Sequence, residues 1–159
     1  MKIALLATAL GLLTSSMAMA QTPAQSVEAP STAQAPSIAS ASLTIRFEQL
    51  VAPTGQIMMS VFDNEAAHDG GGKPVRTGMV KVDGTSAAIT FTDLAPGRYA
   101  IKVLHDVDGD GQMKTNPFGM PLEPFAFSNG AKPEGGPARW QAASFDVPAG
   151  ASETRISFK

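Results

Sequence analysis

The chain has 159 residues, which leaves room for one domain. It contains no cysteine, so disulfide bonds and a cysteine-linked lipid anchor are excluded. Its formal charge of −2 is too small to attract nucleic acid or an anionic membrane surface, so neither is expected as a partner.

The first 20 residues have the three parts of a bacterial signal peptide. Lys2 supplies the positive start, residues 3–13 supply the apolar run, and residues 18–20 supply a small-x-small cleavage site. The apolar run is shorter than the roughly 20 residues that a membrane-spanning helix needs. We therefore expect export to the periplasm or beyond the cell and no membrane span after cleavage. A retained anchor is the alternative.

Residues 21–42 have the composition of a disordered linker. They consist mainly of Ala, Ser, Thr, Gln and Pro, and Glu28 is their one charged residue. Such a segment buries too little apolar surface to offset the entropy lost on ordering. The folded domain is therefore predicted to cover residues 43–159.

From Leu43 onward, apolar and polar residues alternate in short runs that are typical of half-buried strands. Turn sequences rich in Pro, Gly and Asp separate these runs, and no stretch of ten residues has helical spacing. About seven short strands in a domain of this size predict an all-β fold, an antiparallel β-sandwich. The first predicted strand begins at Leu43 and the last ends near Lys159. The strands between them are predicted at 56–63, 78–82, 87–92, 98–105 and 140–147.

The segment 91–99 predicts a corner between two strands. One strand ends at Leu94, Pro96-Gly97 turns the chain, and Tyr99 starts the partner strand. The Phe-x-x-Leu-x-Pro-Gly-x-Tyr pattern resembles the corner of transthyretin-like and carboxypeptidase-regulatory-like sandwiches. The resemblance implies a fold and carries no function.

An acidic loop follows the predicted strand 98–105. Aspartates at its first, third and fifth positions and a glycine at its sixth match the first half of a calcium loop. Three carboxylates so close together repel one another unless a cation lies between them. Position twelve, where a bidentate glutamate would stand, is Pro117, so other oxygens must complete the site. The predicted metal ligands are Asp106, Asp108, Asp110, Gln112, Asn116 and Glu123, with calcium as the cofactor. A solvated turn is the alternative.

The segment 105–129 resembles a bacterial exported family known as domain of unknown function 2141. The resemblance depends on His-Asp, alternating acidic residues, Gly-x-Pro-x-Glu at 119–123 and a Phe-Ser-Asn ending at 127–129. It implies export and a β-sandwich and carries no established activity. Lys114 stands where the family usually has Asp, and Ala126 where it usually has Gly; the lysine weakens the expectation of calcium binding.

Two other classes of function stay open at this stage. A hydrolase or metal-dependent enzyme would use His105, Asp106 and Ser128, with His68 as a further ligand if it folded close. A carbohydrate-binding module would expose aromatic side chains in a row, and the aromatic residues beside the long connection are Phe118, Phe125, Phe127 and Trp140. Methionines such as Met58, Met59 and Met113 suggest copper handling, but the alternation of Met59 with Ile57 favours core packing.

These observations together predict an exported, non-enzymatic β-sandwich that serves the cell envelope as a binding or accessory module. Its partner would be an envelope protein or a glycan. Calcium in the acidic loop would tie the strand 98–105 to the aromatic segment after it, and its role would be structural.

Overall fold

A computed structural model describes residues 39–158. The predicted signal peptide and all but residues 39–42 of the predicted linker lie outside the described residues. No helix within the described part is long and apolar enough to cross a membrane. Its strands, in chain order, are β1 (Ala41–Glu48), β2 (Gln56–Phe62), β3 (Arg76–Lys81), β4 (Ala87–Leu94), β5 (Gly97–Asp106), β6 (Phe125–Phe127), β7 (Phe145–Val147) and β8 (Gly150–Ser157). Its helices are α1 (Glu65–Gly70) and α2 (Trp140–Ala143), and a 3-10 turn covers Ser128–Gly130.

The all-β prediction is confirmed, and alternation explains the strands. Leu43, Ile45 and Phe47 of β1 are buried, because side chains two residues apart along a strand share one face. Observed and predicted bounds of β2 to β5 agree within two residues. β1 begins at Ala41, so the last two residues of the predicted linker belong to the sheet.

The strands form two sheets, one of three strands in the order β4-β1-β8 and one of five. In the larger sheet β3, β2, β5 and β6 lie side by side, and β7 pairs with the start of β5. Most pairs are antiparallel as predicted, but β1 and β8 run parallel from Ala41↔Gly150 to Glu48↔Ser157. Parallel neighbours need a long crossover, and here nearly the whole domain lies between the two strands.

The corner at 91–99 carries the chain from one sheet to the other. β4 pairs with β1 and β5 pairs with β2, so the prediction that Tyr99 starts the strand paired with β4 is wrong. The hydroxyl of Tyr99 donates a hydrogen bond to the carbonyl oxygen of Ala95 at 2.7 Å, which is the tyrosine corner found in sandwich folds. The hydrogen bond fixes the turn at which the chain changes sheets.

The main core lies between the sheets, and a smaller one lies beside α1 and α2. The predicted strand at 140–147 is wrong in its first half, since Trp140 begins α2 and only Phe145–Val147 is a strand. Trp140 packs with Phe62 and Phe127 in the smaller core, and its backbone N–H donates to Asp69. These contacts come from distant parts of the chain, so local alternation does not reveal them.

Candidate functional site

The carboxylate of Asp106, the last residue of β5, organises the acidic loop. Its Oδ1 accepts hydrogen bonds from the backbone N–H of Gly109 at 2.8 Å and of Asp110 at 3.2 Å. Its Oδ2 accepts from the N–H of Gly111 at 2.8 Å and from the side-chain amide of Gln56 at 2.7 Å. A carboxylate has about four acceptor positions, so these donors occupy all of them.

The same hydrogen bonds set the charge of Asp106. The amide of Gln56 contributes most and the three backbone N–H groups add to it, so the pKa of the carboxyl is lowered from its ordinary value although burial opposes the shift. Asp106 is fully buried in the fold, and it stays ionised because N–H donors replace the water it lost.

Glu123 closes the base of the loop from its other end. Its Oε1 accepts from the N–H of Val107 at 3.2 Å and its Oε2 from the N–H of Lys114 at 3.1 Å. Ligand oxygens of Asp106, Asp108 and Glu123 lie within 4.8 Å of one another. Hard carboxylate oxygens at this spacing are the kind of donor that calcium prefers. Because Asp106 is saturated, the free acceptor positions belong to Asp108 and Glu123.

Lys114 already supplies a positive charge to this cluster. Its ammonium contacts the carboxylate of Asp108 and lies 3.5 Å from Oδ2 of Asp110. The repulsion between neighbouring carboxylates, which predicted a cation in the loop, is thus relieved by a side chain of the loop itself. A metal ion at Asp108 would compete with this ammonium.

The other predicted ligands have different roles. Asp110 accepts from the backbone N–H of Gln112, which is exposed. Asn116 stabilises its own turn, since its Oδ1 accepts from the N–H of Phe118 at 2.9 Å and of Met120 at 3.0 Å. The structure therefore brings together three of the six predicted ligands, Asp106, Asp108 and Glu123, and leaves the fourth acidic one, Asp110, outside this group.

The residues of the alternative enzyme do not meet. The ring Nε2 of His105 is 2.9 Å from the carbonyl oxygen of Thr54, and the ring packs against Phe158 within the core. The hydroxyl of Ser128 accepts from the N–H of Ile101 at 2.8 Å and donates to the carbonyl of Ala143 at 2.6 Å. Both side chains are fully buried, and each bonds backbone groups of its own surroundings.

The aromatic residues do not form an exposed row. Phe118 is 88% exposed at the tip of the loop, whereas Phe127 and Trp140 are buried and Phe125 is half-buried. A sugar platform needs ring faces that solvent can reach side by side. Trp140 instead contacts His68 edge to face with ring centroids 5.9 Å apart.

An apolar groove that was not predicted from the sequence lies on the outer face of the five-stranded sheet. Its floor consists of strand residues such as Met58, Met79 and Leu104, which point away from the core. The acidic loop forms one wall and residues 133–137 form another, and the volume of this open groove is about 1140 Å³. Four of the five methionines that follow residue 20 line this groove with their side chains outside the main core, namely Met58, Met79, Met113 and Met120.

The signal for this groove was present in the alternation of β2 and β3. Met59 is buried, as predicted, but its neighbour Met58 lies on the opposite face and pairs with Met79 on β3. Met79 is 61% exposed and Met120 is 62% exposed. Apolar residues at outward positions of adjacent strands indicate an open binding surface.

Lys102 joins the groove to a small polar pocket of about 250 Å³. Its ammonium donates to the carbonyl oxygen of His68 at 2.6 Å and lies 5.1 Å from the ring centroid of Phe62. Nδ1 of His68 is 2.7 Å from Oδ1 of Asp69. Burial lowers the pKa of His68, while the hydrogen bond from His68 lowers that of Asp69, so a neutral ring faces an ionised carboxylate.

The comparisons with known proteins identify a family. A family model described as "Uncharacterized protein conserved in bacteria (DUF2141)" matches residues 45–156. No curated protein and no solved structure matches the chain. The matched residues run from β1 to β8 and include both the acidic loop and the strands beneath the groove. The chain therefore belongs to the DUF2141 family, which the sequence of its acidic loop had predicted.

Proposed function

We propose that this protein is an exported, non-enzymatic binding module of the cell envelope that holds an apolar ligand in the groove of its five-stranded sheet. The groove carries the proposal. Its volume of about 1140 Å³ is slightly above the range of about 300–1,000 Å³ that is usual for ligand pockets, and its lining is mostly methionine, proline, phenylalanine and leucine. Flexible methionine side chains adapt to apolar ligands of different shapes.

Other features support the remaining parts of this proposal. The signal-peptide pattern in residues 1–20 supports export to the periplasm or beyond. The Ser128 hydroxyl is hydrogen-bonded to two backbone groups, so no side-chain base activates it as a nucleophile. This supports a non-enzymatic function.

Binding of the neutral apolar dye Nile red to the purified protein tests the groove. We expect one dye per chain and at least a tenfold loss of affinity in Met79→Asp, because a charge on the groove floor must be desolvated when the ligand binds. Met79 is exposed, so the substitution leaves the core intact.

Val51→Asp is the matched control for this experiment. Val51 is 67% exposed and lies outside the groove, so its replacement adds the same charge elsewhere on the surface. Equal dye binding by the wild type and both variants would show that the groove is not the site.

We also propose that the acidic cluster binds calcium as a structural ion. The approach of Asp108 and Glu123 supports this role, and the ion would fasten the loop that walls the groove. With Asp106 saturated and Lys114 in competition, the dissociation constant should lie in the weak extracellular range of about 10⁻⁴–10⁻³ M.

The thermal midpoint in EDTA and in about 10 mM calcium tests this proposal, since that concentration exceeds the weak range. Ligand that binds only the folded state stabilises it by about 2.7 kcal/mol at one hundred times the dissociation constant. We expect a small rise for the wild type and a larger one for Lys114→Asn, because that variant removes the competing ammonium.

Two variants make the calcium experiment specific. Asp108→Asn should abolish the rise in the thermal midpoint. Asp83→Asn, at an exposed turn 25 residues before Asp108 in the sequence, should preserve it. The calcium proposal fails if neither the wild type nor Lys114→Asn responds to calcium.

A further inference from the structure

We infer that the ligand of the groove is a single-chain amphiphile with a carboxylate headgroup, whose chain lies over the methionines and whose carboxylate binds Lys102. This inference rests on the proposed binding function and adds the chemical class of the ligand. Lys102 is the one charged residue among the described residues that line the groove. A groove with one cation in an apolar lining complements a ligand with one negative charge.

Lys102 has room for a headgroup. An ammonium has three N–H donors, and one of them is used by the carbonyl oxygen of His68. Within residues 39–158, no carboxylate forms an ion pair with Lys102. Two donors are therefore available, which suits the two oxygens of a carboxylate.

The position of the ammonium is fixed before any ligand binds. The hydrogen bond to α1 and the face of the Phe62 ring hold it at the boundary between the groove and the polar pocket. Burial lowers the pKa of Lys102, and the nearby Asp69 opposes part of this shift. An anionic headgroup would supply the direct ion pair that Lys102 lacks among the described residues.

The groove is long enough for an extended chain that lies across its strands. Its floor crosses β3, β2, β5 and β6, so it is on the order of 15 Å wide at the usual strand spacing. Met113 and Met120 on the acidic loop would cover the chain from the side. Residues 21–38 of the protein are poor in large apolar side chains, so they do not complement this lining.

Three probes of equal chain length test the inference: decanoate, decan-1-ol and decyltrimethylammonium. Binding to the purified protein is measured by titration calorimetry. We expect the wild type to bind decanoate about tenfold or more tightly than decan-1-ol, since hydrogen bonds to charged groups are stronger than neutral ones, and to bind the cationic probe most weakly.

Substitutions at Lys102 separate charge from packing. Lys102→Met should bind decanoate and decan-1-ol with nearly equal affinity, and Lys102→Arg should recover the preference for decanoate. Lys81→Met removes an exposed lysine at the end of β3 and should leave the preference unchanged. Circular dichroism and the thermal midpoint confirm that each variant is folded. If Lys102→Met does not fold, the comparison of decanoate with decan-1-ol is made with Lys102→Arg and the wild type.

The outcomes distinguish this inference from the binding function beneath it. Equal affinity of the wild type for decanoate and decan-1-ol would overturn the carboxylate headgroup and leave the apolar groove as a binding site. Binding of none of the probes, together with no Nile red binding, would overturn both. Self-association of ligand-free protein that Met79→Asp abolishes would make the groove an interface between two copies of the chain and would also overturn the inference.

Discussion

Replacing Gly55 with alanine is expected to destabilise the domain by about 2–5 kcal/mol, which combines the cost of a left-handed backbone with that of overpacking. Gly55 has φ = 85°, a conformation that side chains rarely adopt. A Cβ atom there would lie 2.2 Å from the carbonyl oxygen of Asp106 and 2.7 Å from Cα of Val107. These are backbone atoms, so relief requires the start of β2 to move away from the end of β5.

That movement would also break the hydrogen bond from Gln56 to the Asp106 carboxylate, since Gln56 follows Gly55 directly. The Asp106 carboxylate would lose the hydrogen bond that contributes most to lowering its pKa. Urea unfolding monitored by circular dichroism gives the free energy of unfolding of the variant and the wild type.

Two other glycines separate the causes of this loss. Gly111 also has a positive φ, 78°, but nothing lies within 4 Å of an added Cβ, so Gly111→Ala should cost only about 1–2 kcal/mol. Gly84 has neither feature, and Gly84→Ala should stay within about 0.5 kcal/mol of the wild type. The close approach of β2 and β5 would be refuted by a Gly55→Ala loss no larger than that of Gly111→Ala.

Local patterns predicted much of the fold. The alternation of Leu43, Ile45 and Phe47 assigned the inner face of β1 correctly, and the Pro96-Gly97 turn marked a real corner. The pairing of strands was beyond these patterns. β1 lies beside β8 across more than a hundred residues of chain, and such a contact depends on the packing of the whole domain.

The acidic residues that meet in the loop could be predicted from the sequence, but their hydrogen bonds and ion pairs could not. The spacing of the aspartates identified Asp106 and Asp108, and Glu123 was proposed from the following turn. The sequence does not show which acceptor positions backbone N–H groups occupy, because that depends on the conformation of the loop. It therefore could not show that Asp106 is saturated or that Lys114 faces Asp108.

The groove was not predicted because it needs two sequence-distant loops over one sheet face. Alternation distinguishes the two faces of a strand but does not say which apolar residues remain accessible. Met58 was considered together with the buried Met59, whereas the register with Met79 places it on the outer face. Lys102 alternates with core residues, so the sequence pattern predicts an ordinary exposed lysine. The pattern does not show that α1 packs beside it and accepts a hydrogen bond from its ammonium.

Replacing Asp106 with asparagine is expected to lower the thermal midpoint at neutral pH by about 5–10 °C, the usual result when buried donors lose their acceptor in a domain of this size. An asparagine offers one oxygen, and its NH₂ group would face two N–H donors, either those of Gly111 and Gln56 or those of Gly109 and Asp110. Asp83→Asn removes a carboxylate from an exposed turn and should change the midpoint by no more than about 2 °C.

The pH dependence of stability identifies this carboxylate as the cause. The pKa of Asp106 in the folded protein lies below its value in the unfolded chain, which is about 3.9. Its contribution is therefore fully present above that unfolded value and is lost as the pH falls through the folded pKa. The thermal midpoint of the wild type should fall steeply from about pH 4 downward, and Asp106→Asn should flatten this fall.

Two other carboxylates, Asp69 and Glu153, should account for the slope that remains, because hydrogen bonds lower their pKa values as well. A variant with the same slope as the wild type would mean that the hydrogen bonds to Asp106 do not stabilise its charged form.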